Sequence, residues 1–373
     1  MIEDIIIKME SLDGNVLYYS LNQDQDCLAV GTSQGYRIYN LQSCKLVSSY
    51  DEAPVGIIEM LYSTNLLALV GSDMSNVHLS PKRLTIWNSN SSAAICEISF
   101  AYKITAVKIN KSRLIICVKD KIHIYDLRDT RILESLFVKN NQLGRLVLSP
   151  NNTENCFLVY TDSITKGIVK VYDAWNMRQS TTFEAHQSPI LKMSMNYEGN
   201  KLVTTSCKGT MVRVFSLPKG DKLYTFKRGT SNCMVYSLNF SRQGNHIILS
   251  SENGTIHCFS LPKKDRDELE DEDDSMQEDF EESDPSLIKD EVKECKVCSI
   301  GSWIQTLLPI NYDELMSSKK SRAKLTSHDY EFPNICCMDR EEKHITMFMK
   351  RKDFKRFDFR EGKIEEDNEF EPE

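Results

Sequence analysis

Short segments in which apolar and polar residues alternate recur along the whole chain. This period of two is typical of β-strands, and each segment ends on an aromatic residue, followed in every copy by a small polar or acidic residue. The seven aromatic residues that mark the copies are Tyr39, Trp87, Tyr125, Tyr172, Phe215, Phe259 and Phe357. The first six lie 38 to 48 residues apart, which is the length of one propeller blade. The pattern predicts an all-β fold, a seven-bladed β-propeller of the WD-repeat type that forms a single domain over residues 1–373.

The interval between the last two copies is longer than the others. Phe259 and Phe357 are 98 residues apart, which corresponds to one blade and an insertion of about 55 residues. We therefore expect one long inserted loop in the sixth blade, over residues 262–320.

The expected insertion contains two segments of different character. Residues 265–284 hold thirteen acidic residues and one arginine, so this tract alone carries more negative charge than the net −8 of the whole chain. We expect a disordered acidic tract attached to a mildly basic body. In residues 299–308 the apolar residues follow the spacing of an amphipathic helix, which Pro309 ends.

The remaining composition restricts the class of protein. The apolar patch Ile5-Ile6-Ile7 has acidic neighbours and no basic flank, unlike a signal peptide, and no apolar run approaches the roughly 18 residues of a membrane span. Twelve cysteines in such a chain favour buried thiols, and the lone pair Cys295 and Cys298 lacks the second ligand pair of a zinc site. We expect a cytoplasmic protein that needs no cofactor or metal and meets membranes only peripherally.

The strongest candidate for a binding site is the tetrapeptide Phe226-Lys227-Arg228-Gly229. Neighbouring side chains of a strand point in opposite directions, so Lys227 and Arg228 are predicted to serve two different sites. Histidine, serine, threonine and arginine residues recur in the blades on both sides of this motif, and phosphate groups are held by such cationic and hydroxyl groups.

Together these features resemble the PROPPIN family of WIPI-type β-propellers. The Phe/Leu-Arg-Arg-Gly motif of the family is matched by residues 226–229, and further landmarks fall at 22–24, 31–36, 80–84 and 208–216. The resemblance implies an effector that binds phosphatidylinositol 3-phosphate and 3,5-bisphosphate and recruits autophagy or endosomal proteins. The expected location is on phagophore, autophagosome-precursor, endosomal or vacuolar membranes.

The resemblance also implies two phosphoinositide pockets on the rim. The first is expected to consist of His186, Thr204, Ser206, Gly209, Thr210, Arg213 and Lys227. The second is expected to consist of Arg228, Ser251, Thr255 and His257, with Gly229 completing the motif. Lys227 stands where the family usually has arginine, and lysine offers a point charge in place of a bidentate fork. We therefore expect the first pocket to be less selective in geometry.

Two further surfaces follow from the resemblance. The long loop of the sixth blade is expected to enter the membrane interface through Trp303, Ile304, Leu307 and Leu308, with Lys319, Lys320, Arg322 and Lys324 near anionic headgroups. The alternative is that this apolar stripe packs on the propeller. A surface for autophagy proteins, namely conjugation or lipid-transfer factors, is expected at Lys111, Arg113 and Arg128, which suit an acidic peptide.

Three other functions compete with the lipid-binding interpretation. A WD-repeat scaffold that binds only proteins has the same fold, because function depends on sites and not on the propeller itself. An enzyme is disfavoured, since the chain has no GxxxxGK, HExxH or GxSxG motif. A nucleic-acid-binding protein is disfavoured because no basic, aromatic-rich stripe is present.

Overall fold

The strands of the protein form seven separate sheets that follow one another along the chain. Every regular element in the described part of the chain is a β-strand. The predicted all-β, seven-bladed propeller is therefore confirmed. The computed structural model describes residues 15–74, 79–138, 141, 143–151, 156–262, 319–320, 323–326, 334–349, 354–360 and 363–367.

Blades 1 to 4 are antiparallel sheets, each built from four consecutive strands. Blade 1 consists of β1 (Val16–Leu21), β2 (Cys27–Thr32), β3 (Tyr36–Asn40) and β4 (Leu46–Tyr50). Blade 2 consists of β5 (Val55–Met60), β6 (Leu66–Gly71), β7 (Arg83–Asn88) and β8 (Ala93–Ser99). Blade 3 consists of β9 (Ile104–Ile109), β10 (Arg113–Val118), β11 (Lys121–Asp126) and β12 (Ile132–Phe137). Blade 4 consists of β13 (Leu146–Leu148), β14 (Phe157–Thr161), β15 (Gly167–Asp173) and β16 (Arg178–His186).

Blades 5 to 7 complete the ring, and blade 5 has a fifth strand. Blade 5 consists of β17 (Ile190–Met195), β18 (Lys201–Ser206), β19 (Met211–Ser216), β20 (Lys222–Lys227) and the two-residue β24 (Lys319–Lys320), which pairs with β20 in parallel. Blade 6 consists of β21 (Val235–Phe240), β22 (His246–Ser251), β23 (Thr255–Ser260) and β25 (Ala323–Thr326). Blade 7 consists of β26 (Asn334–Met338), β27 (His344–Met349), β28 (Phe354–Arg360) and β29 (Lys363–Glu366).

Each aromatic-ended segment of the sequence is the third strand of a blade. Tyr39 lies on β3 and Phe357 on β28, and the five intermediate copies lie on the corresponding strands. In third strands such as β11 and β19, buried side chains alternate with more exposed ones over most of the strand. This alternation in burial explains why apolar and polar residues alternate in the copies of the pattern.

The hydrophobic core lies between neighbouring blades. Phe183 of blade 4 and Phe215 of blade 5 have ring centroids 4.8 Å apart, and Phe226 of blade 5 lies 5.0 Å from Phe259 of blade 6. The first strands of successive blades contact one another around the propeller axis. Packing between neighbouring blades therefore fixes the position of each blade relative to the next.

The ring closes between blades 1 and 7 through side chains. The rings of Tyr39, Phe348 and Phe354 form a cluster with centroid separations of 5.1 to 6.1 Å. The hydroxyl of Tyr19 donates a hydrogen bond of 3.2 Å to the carbonyl of Asn334. Because each of these two sheets takes its described strands from one end of the chain only, aromatic packing holds the two ends of the propeller together.

The residues of the expected insertion, 262–320, follow the third strand of blade 6 in the sequence and precede its fourth strand. The chain leaves β23 at Ser260, pairs briefly with blade 5 at Lys319–Lys320 and returns to blade 6 at Ala323. The last two residues of the expected loop thus form a strand. Residues 263–318, which include the acidic tract, lie outside the described residues. Within the described ranges no helix has the length and apolar character needed to cross a bilayer.

Candidate functional site

Lys227 and Arg228 lie at the end of β20, the fourth strand of blade 5. Lys227 pairs with Met211 of β19, and the preceding Phe226 is buried against Phe259 of blade 6. Side chains alternate along a strand, so Arg228 lies on the same face as Phe226 and Lys227 on the opposite face. Arg228 is therefore on the blade 6 side of the strand, and Lys227 is on the blade 4 side.

The first predicted set of residues comes together where blade 4 meets blade 5. The ring Nε2 of His186, at the end of β16, lies 2.9 Å from the Thr204 hydroxyl on β18. Arg213 pairs with Thr204 across the sheet and donates a hydrogen bond of 2.7 Å to the carbonyl of Ala185. Ser206 is buried two residues after Thr204 and so lies on the same face.

The electrostatics of this set favour an anion. Burial, and then the nearby Arg213 charge, lower the pKa of His186 to about 3, so the ring is neutral at physiological pH. The Nε of Arg213 is buried and has no hydrogen-bond partner among the described residues. Lys227 forms no side-chain bond or ion pair with any described residue. The arginine and lysine therefore retain unused donors beside a neutral imidazole.

Gly209 and Thr210 form the turn between β18 and β19 and contact the basic motif through their backbone. Gly209 has φ of +64°, and a Cβ at this position would lie 2.0 Å from the carbonyl oxygen of Cys233. No other residue fits this close approach without displacement of a loop. The Thr210 carbonyl accepts hydrogen bonds from the backbone N–H groups of Arg228 at 2.9 Å and Gly229 at 3.4 Å.

The second predicted set lies on the face of blade 6 that meets blade 5. Ser251, Thr255 and His257 are all buried, and the two hydroxyl oxygens are 2.6 Å apart. The His257 ring stacks on Phe259, with centroids 5.9 Å apart and planes at 4°. Because Phe259 packs on Phe226, these three polar residues share the interface toward which Arg228 points.

Arg228 has backbone partners that the sequence did not predict. It is buried, and its Nε donates a hydrogen bond of 2.7 Å to the carbonyl of Gly209. Its Nη2 donates to the carbonyl of Ser231. Two of the three guanidinium nitrogens are therefore hydrogen-bonded to the loops that contain Gly209 and Ser231. Every residue has a backbone carbonyl whatever its side chain, so the sequence does not show which carbonyls accept these hydrogen bonds.

The three residues predicted to bind an acidic peptide differ in exposure. Lys111 is exposed, with its Nζ 4.8 Å from the centroid of the Tyr62 ring. Arg128 is also exposed and binds Asp126 at 2.8 Å. Arg113 is buried instead, and its Nε donates a hydrogen bond of 2.8 Å to the carbonyl of Ala174. Arg113 thus links blade 3 to blade 4 and is not available at the surface.

The predicted membrane segment lies outside the described residues, so the prediction for this segment remains an expectation. The segment contains Trp303, Ile304, Leu307 and Leu308, and Arg322 is also outside the described ranges. Lys319 and Lys320 lie on β24, where Lys320 pairs with Lys227, and Lys324 lies on β25 opposite His257. The backbone of the returning chain therefore runs beside both predicted sets.

Comparison with known proteins identifies the family. The PROPPIN family model matches residues 15–276. The chain is 37% identical over 246 residues to autophagy-related protein 18 of Dictyostelium discoideum, and the match covers 66% of this chain and 65% of that protein. It is 38% identical over 254 residues to WD repeat domain phosphoinositide-interacting protein 2 of Gallus gallus, with 66% of this chain and 57% of that protein covered. The chain thus spans less than two thirds of the length of these relatives.

Solved structures share the fold over nearly the whole chain. Kluyveromyces lactis Hsv2 superimposes with a TM-score of 0.71 at 18% identity, covering 95% of this chain and 98% of that one. KlAtg21, solved in complex with the coiled-coil of AgAtg16, superimposes with a TM-score of 0.69 at 21% identity, covering 94% and 98%. The family match and the identity to curated relatives agree with this shared propeller. The chain belongs to the PROPPIN family.

Proposed function

We propose that this PROPPIN is a phosphoinositide effector that binds membranes containing phosphatidylinositol 3-phosphate, the 3,5-bisphosphate, or both. The observation that supports the proposal most is the divergence of Lys227 and Arg228. They leave β20 on opposite faces, and each faces histidine and hydroxyl groups at a different blade interface. The names of the curated relatives, which include the words autophagy-related and phosphoinositide-interacting, support the same proposal.

In the proposed first site, the phosphate is held between blades 4 and 5. Lys227 and the unpaired Nε of Arg213 supply the charge, and the hydroxyls of Thr204 and Ser206 supply neutral hydrogen bonds. Hydrogen bonds between a cation and a phosphate contribute about 1.5–3 kcal/mol each, which makes the two cations the dominant groups. His186 is neutral before binding and holds the Thr204 hydroxyl in place.

In the proposed second site, Arg228 acts with Ser251, Thr255 and His257 between blades 5 and 6. The guanidinium is already oriented by the carbonyls of Gly209 and Ser231, so its remaining nitrogen is fixed before a ligand arrives. Orientation before binding reduces the conformational entropy lost on binding. The second site is thereby proposed to be more rigid than the first, whose lysine has no such support.

The two sites and the insertion are proposed to act together on one membrane. A headgroup bound at one site raises the effective concentration of lipid at the other, so two weak contacts give firm attachment. Residues 299–308 are proposed to add an apolar anchor. The protein would work from the cytoplasm on autophagosome-precursor, endosomal or vacuolar membranes. There it would recruit autophagy proteins through an exposed surface that includes Lys111 and Arg128.

The experiment is liposome flotation with phosphatidylinositol 3-phosphate, the 3,5-bisphosphate, or unphosphorylated phosphatidylinositol. The variant is Lys227→Ser, which removes a cation without breaking a bond to any described residue. The matched control is Lys222→Ser, an exposed lysine at the other end of the same strand. We expect binding that requires the phosphorylated lipid, a loss of about tenfold in Lys227→Ser, and no change in the control.

Two results would overturn the proposal. One is a wild-type protein that binds the three kinds of liposome equally or not at all. The other is a Lys227→Ser variant that floats as well as Lys222→Ser. Either result would favour a WD-repeat scaffold that interacts with proteins only.

A further inference from the structure

Three cationic residues lie on or directly before neighbouring first strands around the central channel. Lys108 is on β9 of blade 3, Arg145 directly precedes β13 of blade 4, and Lys192 is on β17 of blade 5. Lys108, Val147 and Ser194 line a channel cavity of about 130 Å³. Arg145 and Lys192 each precede one of these lining residues by two positions. The charges of Lys108 and Arg145 both act on Lys192, so the three cations lie close to one another.

The charges of this wall do not balance. Glu59 is the one carboxylate among the described residues that line the cavity, and it already accepts hydrogen bonds from Lys108 at 2.5 Å and from Tyr18 at 2.7 Å. Arg145 and Lys192 have no side-chain hydrogen bond or ion pair with any residue in the described ranges. Burial, followed by the charges of Lys108 and Arg145, lowers the pKa of Lys192.

One end of the cavity is crossed by a side chain that bridges three blades. The Nε2 of Gln23, from blade 1, donates hydrogen bonds to the carbonyls of Met60 at 2.9 Å and Ile109 at 2.7 Å. Its Oε1 accepts a hydrogen bond of 2.6 Å from the backbone N–H of Tyr62. Gln23 thus joins blades 1, 2 and 3 at one end of the cavity, which is partly open.

An anion would compensate the unbalanced cations. Like charges brought together without counter-charge destabilise the folded state, and burial increases the cost because solvent screens less. One water molecule needs about 10–15 Å³ of such space, so the cavity accommodates a small oxyanion together with several waters. Ser194 adds a hydroxyl donor to the lining. Tetrahedral oxyanions suit this mixture of two lysines, one arginine and a hydroxyl.

We propose that the central channel binds a small multivalent oxyanion of the phosphate class at Lys108, Arg145 and Lys192. The anion would cross-link the first strands of blades 3, 4 and 5. This site is separate from the proposed headgroup sites, which lie at the outer interfaces of blades 4, 5 and 6. The inference therefore does not depend on lipid binding.

The test is thermal unfolding of the full chain with increasing inorganic phosphate, with potassium chloride added to keep the ionic strength constant. For the wild type we expect a rise in Tm that grows with the logarithm of the phosphate concentration and reaches about 2 °C at ten times the dissociation constant. Lys192→Met is expected to lose this rise. Without phosphate it is expected to be at least as stable as the wild type, because an unpaired cation is removed. Lys227→Ser, the control for the rim, is expected to keep the rise.

The outcomes separate a channel site from phosphate bound at the rim. A rise that is unchanged in Lys192→Met, or one that is lost in Lys227→Ser, would overturn the proposal. So would a wild-type protein that responds to chloride and phosphate alike. If Lys192→Met does not fold, Arg145→Met is measured in its place, with the same expected loss and the same contradicting results.

Discussion

Lowering the pH tests the environment of His186 without any ligand. The ring is buried between blades 4 and 5, and its pKa of about 3 is well below the value of about 6.5 that histidine has in an unfolded chain. Between these two values the unfolded state binds a proton that the folded state excludes. Stability therefore falls as the pH is lowered through 6.5 toward 3, and it recovers as the pH is raised.

The size of the effect follows from the two pKa values. In the middle of the window, one excluded proton changes the free energy of unfolding by about 1.4 kcal/mol per pH unit. From pH 7 to pH 5 the contribution of His186 integrates to about 2 kcal/mol. A His186→Gln variant keeps an amide to contact the Thr204 hydroxyl and has no proton to bind, so it is expected to lack this contribution.

The assay is urea unfolding of the wild type and His186→Gln at pH 7 and pH 5. Other titrating groups affect both proteins equally, so the difference between their pH responses isolates His186. The wild type is expected to lose about 2 kcal/mol more than the variant. A difference below about 0.5 kcal/mol would refute the reasoning, because it would mean that the ring remains open to protonation in the folded protein.

Three further predictions concern glycine, ring closure and the arginine of the motif. Gly209→Ala is expected to cost more than about 1 kcal/mol, because its φ is +64° and the added Cβ meets a backbone oxygen at 2.0 Å. Gly229→Ala, whose Cβ meets no atom of the described residues within 4 Å, is expected to stay within about 0.5 kcal/mol; equal Tm values would contradict both. Phe348→Ala is expected to cost about 3–5 kcal/mol in denaturant unfolding, and a cost under 1 would show that the aromatic cluster does not close the ring. Arg228→Met is expected to lower the Tm as well as lipid binding, since two carbonyl bonds are lost; an unchanged Tm would count against those bonds.

The strand pattern was sufficient to predict the propeller. In third strands such as β11 and β19, buried apolar side chains alternate with more exposed ones, and this alternation repeats with the blade. The same alternation predicts that the neighbouring side chains of Lys227 and Arg228 point in opposite directions. Alternation along a strand is a local property, and it can be read from the sequence without knowledge of long-range contacts.

Contacts to backbone could not be predicted in this way. Arg113 is predicted from the sequence as a surface cation, yet it reaches the carbonyl of Ala174 in the next blade, 61 positions along the chain. Arg228 likewise binds the carbonyl of Gly209. The basic cluster of the channel was also missed, because Lys108, Arg145 and Lys192 are about one blade apart in sequence and meet only when the ring has formed. Such contacts depend on tertiary geometry that no local pattern records.

Counting bound headgroups is the most direct test of the two-site account. The number of molecules of a soluble short-chain phosphatidylinositol 3-phosphate bound per protein is measured by titration calorimetry for the wild type, Lys227→Ser and the Lys222→Ser control. The account predicts two molecules for the wild type and the control, and one for Lys227→Ser, with the remaining site retained. A single molecule bound by the wild type, or a number that Lys227→Ser leaves unchanged, would contradict the assignment of Lys227 and Arg228 to separate sites.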